Sequence, residues 1–379
     1  MDKVIRFENS EARISCFNEK PNACEFHVMI NINNAKLPYP KQLEEIFNAF
    51  NTVRETEAKG AIPVFKRFFL SDVSNQKEHL TARTAEVRNC AISIIQQPPL
   101  NGTKIALWAY LVTNMQVKAA ENGCLEAGHG VFTHLWTASI PKQGGGSKQQ
   151  TIDLLNNYVQ QLGRRQCTLA TNCVRTWFFV RDVDLNYQGV VDGRNDRFDK
   201  HGLTPQTHFI ASTGIDGRPQ DENMLVQMDA YAIKGIEKEQ IQFLYAPTHL
   251  NRTCEYGVAF ERGTCVDYGD RRHVFISGTA SINDKGEVMH VGNIEEQCLR
   301  MWENVEVLLK EAGCSFKDVA QMIVYLRDAA DYALVNQLFK GKFPEKPWII
   351  VYASVCRPGW LIEMEAIAIK AQDTRFPPF

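Results

Sequence analysis

The run Leu361 to Ile369, LIEMEAIAI, sets two carboxylates two residues apart in an otherwise apolar segment. On a strand, alternation puts Glu363 and Glu365 on one face and Ile362, Met364 and Ala366 on the other. Buried carboxylates are costly, so two of them on a face that valines could fill ask for a function. We read Glu363 as the acid of an active site.

The elements that must position it recur three times. The first third offers a strand, CEFHVMINI, and a helix over about 40–59 with Leu43, Ile46, Phe47, Phe50 and Val53 on one stripe. A strand, VFKRFFLSD, comes next, then two more, CAISIIQQ and KIALWAYLV, joined by the turn PPLNGT. The second third repeats the order with VFTHLWTASI, a helix carrying Ile152, Leu155, Val159 and Leu162, VRTWFFVRD, a long polar stretch, THFIASTG and MLVQMDAYAIK. The last third has HVFISGTASI, a helix with Cys298, Met301, Trp302, Val305, Leu308 and Leu309, MIVYLRD, a second helix with Tyr332, Val335, Leu338 and Phe339, WIIVYASV and LIEMEAIAI. Only here does the periodicity show a second helix. Because order and letters repeat together, we expect three tandem units, 1–120, 121–238 and 239–379, each of ordinary domain size.

Laid over one another, FFLSD, FFVRD and VYLRD align, as do KIALWAYLV, VQMDAYAIK and IEMEAIAIK. At the position of Glu363 the first unit has Ala106 and the second Gln227; at that of Arg327 they have Ser71 and Arg181. The third unit alone keeps both acid and arginine, as specialisation after duplication would leave it. Glu365 has an acidic counterpart, Asp229, and belongs with the scaffold.

Composition removes several classes. A net charge of -2 without a long basic run argues against nucleic acid as a partner. The lack of a leader or a long apolar run predicts a cytoplasmic protein away from membranes. Eleven scattered cysteines without a CxxC fit reduced, buried thiols. No Cys/His set has zinc spacing, QGGGSK lacks P-loop spacing, and the Asp-rich run 182–199 lacks calcium-loop order, so neither metal nor organic cofactor is expected.

Residues 272–371 resemble the Rid family, also called YjgF or endoribonuclease L-PSP. HVFISGT, the Asn of WENV, the Ala-Gly of KEAG, VYLRD, the Val-Asn of ALVN and IEMEAIAI stand in that family's order. The resemblance implies an α+β fold of chorismate-mutase-like architecture, a mixed sheet with helices packed on one face, and a trimer with small-molecule clefts between units. Three tandem units would form an intramolecular pseudo-trimer from one chain, with further oligomerisation left open. The whole chain is also similar to the chorismatases, which are built of Rid-like units. The similarity runs through VRTW from Val174, EYG from Glu255, FIS-TA from Phe275, Gln297-Cys298, VYLR from Val324 and CRPGWLIEME from Cys356. Three departures stand out: Phe343-Pro344-Glu345-Lys346 where active Rid deaminases carry FPAR, Ala366 where chorismatases have glycine, and Cys254-Glu255 before Tyr256 where a threonine pair is expected.

Both resemblances imply a small carboxylate substrate, an enolpyruvyl ether in one case and an imine in the other. Glu363 would deliver the proton, Arg327 and Arg175 would grip the carboxylate, and Tyr256 would hydrogen-bond substrate or water. Plainer roles stand beside these. Arg327 would pair with Asp328 at a strand end, Arg175 would stack on Trp177 or Phe179, and Tyr256 would be a half-buried aromatic. The expectation is an enzyme, a chorismatase-like hydrolase releasing pyruvate from chorismate or a related enolpyruvyl carboxylate. A Rid-type imine or enamine deaminase and a non-catalytic binder of small carboxylates are the alternatives.

Overall fold

The computed structural model describes residues 1–18, 23–85, 89–121, 123–139 and 144–379; Ile140 and Gln143, which belong to motifs quoted above, lie outside them. The first unit contains β1 (Asp2–Arg6), β2 (Ser10–Phe17), β3 (Glu25–Ile32), α1 (Tyr39–Thr56), β4 (Ile62–Leu70), α2 (Val73–Thr84), β5 (Ala91–Gln96) and β6 (Ile105–Val112). The second contains β7 (Gln116–Glu121), β8 (Cys124–His129), β9 (Phe132–Ser139), α3 (Ser147–Arg164), a short α4 (Leu169–Asn172), β10 (Cys173–Val180), α5 (Val183–Lys200), β11 (Ala211–Asp216), β12 (Arg218–Pro219) and β13 (Val226–Lys234). The third contains β14 (Ile241–Leu244), β15 (Gly263–Asp267), β16 (Arg271–Ala280), α6 (Ile294–Glu311), β17 (Val319–Leu326), α7 (Tyr332–Lys342), β18 (Trp348–Tyr352) and β19 (Ile362–Ala371).

One plan serves all three mixed sheets. A three-stranded antiparallel meander leads in, the last strand of the unit inserts beside it, and two parallel strands complete the sheet. The last strand is antiparallel to both neighbours, and its register places Phe69 opposite Ala106, Phe179 opposite Gln227 and Tyr325 opposite Glu363. Ala106, Gln227 and Glu363 are therefore structural counterparts. The fold is α+β, built of tandem Rid-like units. β12 departs from the plan by leaving its own unit to pair with β5 of the first.

The second helix, which the sequence periodicity shows only in the third unit, is present in all three. α2 turns only Val73, Gln76, Leu80 and Thr84 inward, and its start is fixed by Asp72, whose carboxylate accepts from the amides of Ser74 and Asn75. α5 is the long polar stretch. It packs through small residues: a Cβ at Gly189 would lie 2.2 Å from Ser147 Oγ, and one at Gly193 2.7 Å from the Lys148 carbonyl. Close backbone approach replaces an apolar stripe there, so hydrophobic periodicity has little to report.

The long helices cover the outer face of each sheet, and the inner faces meet one another. Phe65 lies 5.1 Å from Trp108 and 5.0 Å from Trp136, and Trp108 lies 6.3 Å from Trp177. Four charges are buried among these rings. Arg67 pairs with Asp229 at 2.9 Å, and Arg175 with Glu365 at 2.8 Å, so the inner core carries matched ions. No described helix is long and apolar enough to cross a membrane.

Candidate active site

Glu363 points from β19 into an enclosed cavity between the second and third units. α5 supplies Tyr187 and Arg194, β11 supplies Ser212 and Gly214, and the third unit supplies Tyr256, Arg262, Gly278, Cys356, Arg357 and Trp360. The free volume is about 30 Å³, enough for a water but not for an organic substrate, so the walls must part to admit one.

Glu363 is 4% exposed, and burial, helped by the neighbouring Glu365, pushes its carboxyl up to about 8; Arg262 and Arg175 pull weakly the other way. At neutral pH it is an acid that holds its proton. Gly278 gives it space, because a Cβ there would fall 2.1 Å from Glu363 Oε1. The strand register slips between Ile276 and Thr279, bringing this glycine against the carboxyl.

Three guanidiniums surround the acid. Arg194 is buried to 1% exposure, yet its Nε and one terminal nitrogen have no hydrogen-bond partner. A buried cation left with free donors is costly unless something else fills them. Arg262 is anchored on Asn251, donating to the carbonyl at 3.0 Å and to Oδ1 at 3.0 Å, and lies over the rings of Tyr256 and Phe260. Arg357 closes the mouth, its guanidinium 5.1 Å from the Tyr256 ring centre and 5.4 Å from that of Trp360. Burial holds the Tyr187 hydroxyl well above its usual range and pushes the Cys356 thiol up to about 12, so both stay protonated.

The expected residues divide. Glu363 and Tyr256 line the cavity together, Tyr256 half-buried at its rim. Arg175 stands behind the acid and is already engaged: one nitrogen donates to Thr213 Oγ1 at 2.5 Å and to Glu365 at 2.8 Å, and the guanidinium lies over Trp177. It is not among the cavity residues. Nor is Arg327, the residue expected to grip substrate. It follows the end of β17 one pleat beyond Tyr325, where its guanidinium reaches the Val355 carbonyl at 2.7 Å and Asp184 at 2.5 Å. Glu365 accepts from Arg175 and from the Trp177 indole at 2.8 Å, deep in the core.

Two of the departures from family pattern fall outside the cavity. Lys346 binds the Val319 carbonyl and Asp2, each at 2.8 Å, at another corner of the molecule. Ala366, buried, alternates away from the face bearing Glu363. Sequence reasoning missed Arg194, Arg262, Arg357 and Tyr187. The signal for Arg194 was a helix hidden in a polar run; Arg357 and Cys356 sat unremarked within CRPGW. Among the described residues no group of three or more His, Cys, Asp or Glu is arranged to hold a metal.

Residues 265–370 match the family described as Endoribonuclease L-PSP. A RutC family protein of Pyrococcus abyssi is 40% identical over 100 residues, which is 26% of this chain and 78% of that protein. The 3-aminoacrylate deaminase RutC of Acinetobacter baylyi is 34% identical over 97 residues, 25% of this chain and 77% of its own. Across the larger part of the molecule, a crystal structure of a chorismatase superposes with a TM-score of 0.64 at 17% identity, covering 83% of this chain and 95% of that one, a likeness of fold. Through its third unit, then, the chain belongs to the Rid/RutC, or endoribonuclease L-PSP, family.

Proposed function

We propose that this protein is a chorismatase-like hydrolase that releases pyruvate from chorismate or a closely related enolpyruvyl carboxylate. The observation that carries this is the pairing of a protonated Glu363 with a buried Arg194 that lines the same cavity and leaves two donor nitrogens without a hydrogen-bond partner. A substrate carboxylate would satisfy Arg194 in a charge-assisted pair, and a second carboxylate would meet Arg262 or Arg357 at the mouth. Glu363 would then give its proton to the terminal methylene carbon of the enolpyruvyl group. Positive charge develops on the ether-bearing carbon, water adds there, and the hemiketal collapses to pyruvate and the free alcohol while Glu363 regains a proton. Water is the only co-reactant. The three units within one chain would act as an internal trimer, so that a single chain supplies both walls of the site.

The deaminase alternative is favoured by names such as that of the Acinetobacter relative, but it lacks its expected carboxylate clamp here, because Lys346 is engaged elsewhere. Incubation with chorismate, with pyruvate measured by a coupled dehydrogenase, tests the proposal. Release that depends on Glu363 supports it, and release no greater than that of Glu363→Gln sinks it. Ammonia from 2-aminoacrylate would instead favour the deaminase, and tight carboxylate binding without turnover the binder.

A further inference from the structure

Arg327 is freed from substrate binding by its position, yet it joins two parts of the molecule that both line the cavity. Its Nη1 donates to the Val355 carbonyl at 2.7 Å and its Nη2 to Asp184 Oδ2 at 2.5 Å. Asp184 lies in the first turn of α5, the helix that carries Tyr187 and Arg194 into the cavity. Val355 immediately precedes Cys356 and Arg357, and the same loop ends at Trp360. One guanidinium therefore ties the wall from the second unit to the wall from the third.

We propose that Arg327 is a positioning residue that fastens the α5 wall to the 355–360 loop, and that this fastening must loosen for a substrate to enter. The cavity volume of about 30 Å³ requires movement of some wall. The loop is held at its far end by Gln297, whose side chain donates to the Gly359 carbonyl at 3.0 Å and accepts from the Leu361 amide at 3.0 Å, all within the third unit. Its near end crosses between units, through Arg327 and through the Asp216 amide donating to Ser354 at 3.1 Å. The Arg327–Asp184 pair is partly exposed, at 20% and 46%, so water competes for it and it can open and reclose readily. Arg357, between these ends, has no ion-pair partner among the described residues and is free to follow the loop. The identity of what enters rests on the hydrolase proposal; the fastening does not.

Hydrogen exchange on the full chain, without any ligand, separates the two. In Arg327→Met and in Asp184→Ala, amide exchange over 183–187 and 354–360 should rise about tenfold, while β17 stays protected. The double variant should match Arg327→Met, because the cross-unit pair is already absent there. Pyruvate release should fall in both single variants, because the walls no longer close on a substrate that has entered, although Asp184 is not among the cavity residues. If Asp184→Ala leaves exchange at the wild-type level, or if the two substitutions add, the fastening is refuted. A protein that shows the exchange pattern but no chorismate turnover would refute only the hydrolase.

Discussion

The Glu363 cleft has a counterpart where the third unit meets the first, and the two differ in how their arginines are satisfied. There the strand position of Glu363 is held by Ala106, opposite Asn31. The counterpart cleft holds Arg13, which is buried like Arg194 and Arg262 but engaged through Nε and Nη1. It donates to Glu11 at 2.7 Å and to the Pro344 carbonyl at 2.8 Å, and its guanidinium lies 4.5 Å over Trp348. Arg194 has the same chemistry, and its donors are left open. At the third junction, between the first and second units, the position of Glu363 is held by the neutral Gln227, which donates to Ser93 Oγ at 3.2 Å, and the charges beside it, Arg67 and Asp229, are paired at 2.9 Å. One architecture thus carries a closed structural joint, one whose charges are paired with each other, and a joint that keeps an acid protonated and a cation with open donors. Folding gains nothing from the last of these, and a substrate would complete it.

The largest break in this comparison is Glu363→Gln. The amide fills the same space but cannot donate the proton, and kcat for pyruvate release should fall by about 10²- to 10⁴-fold. In the wild type, activity should be full below the acid's value of about 8 and decline as pH rises through it, because only the protonated carboxyl is competent. A profile that instead rises through pH 8 would assign Glu363 as a base. Arg194→Met comes next. It should raise KM about 100-fold through loss of a charged pair, yet raise the melting temperature, since a buried cation with two unsatisfied donors is removed. Arg13→Met should do the reverse, lowering the melting temperature and leaving KM unchanged. If Arg194→Met melts lower than wild type, its open donors are satisfied in solution and the contrast between the two clefts collapses.

How far the sequence reached follows from the range of the interactions involved. Glu363 was legible because strand alternation is local and two degenerate copies within the same chain supplied the comparison. The meander strands β1, β7 and β14 and the helices α2 and α5 were not, since their burial depends on Gly189, Gly193 and edge pairing more than on apolar periodicity. Arg194 and Arg262 converge only because two units face each other across the cleft, and no spacing along one unit encodes that. Arg327 was placed by linear overlay. The overlay was right about its strand and could not tell that the residue lies past the last pleat, where the side chain turns to Asp184.

Grafting an acid onto the silent counterpart gives a smaller effect. Ala106 is fully buried, and the arginine of its cleft is already engaged, so Ala106→Glu should cost about 2–3 kcal/mol or more and add no turnover. New pyruvate release from an Ala106→Glu, Glu363→Gln double variant would show that the arginines around Glu363 are dispensable.

The last effect is one of stability, and in Glu363→Gln it runs opposite to activity. The native carboxyl of Glu363 sits at about 8, against 4.5 for the ordinary group, so between these values the folded chain binds a proton that the unfolded chain has released. Stability from this residue is complete below pH 4.5 and is lost as pH rises through 8. Glutamine has no such slope. Relative to wild type, Glu363→Gln should therefore gain up to about 1.4 kcal/mol per pH unit across that window, which denaturant titrations at several pH values would measure. Equal slopes for the two proteins would mean that Glu363 is ionised in the native state, and the acid at the centre of the cleft would have to be another group.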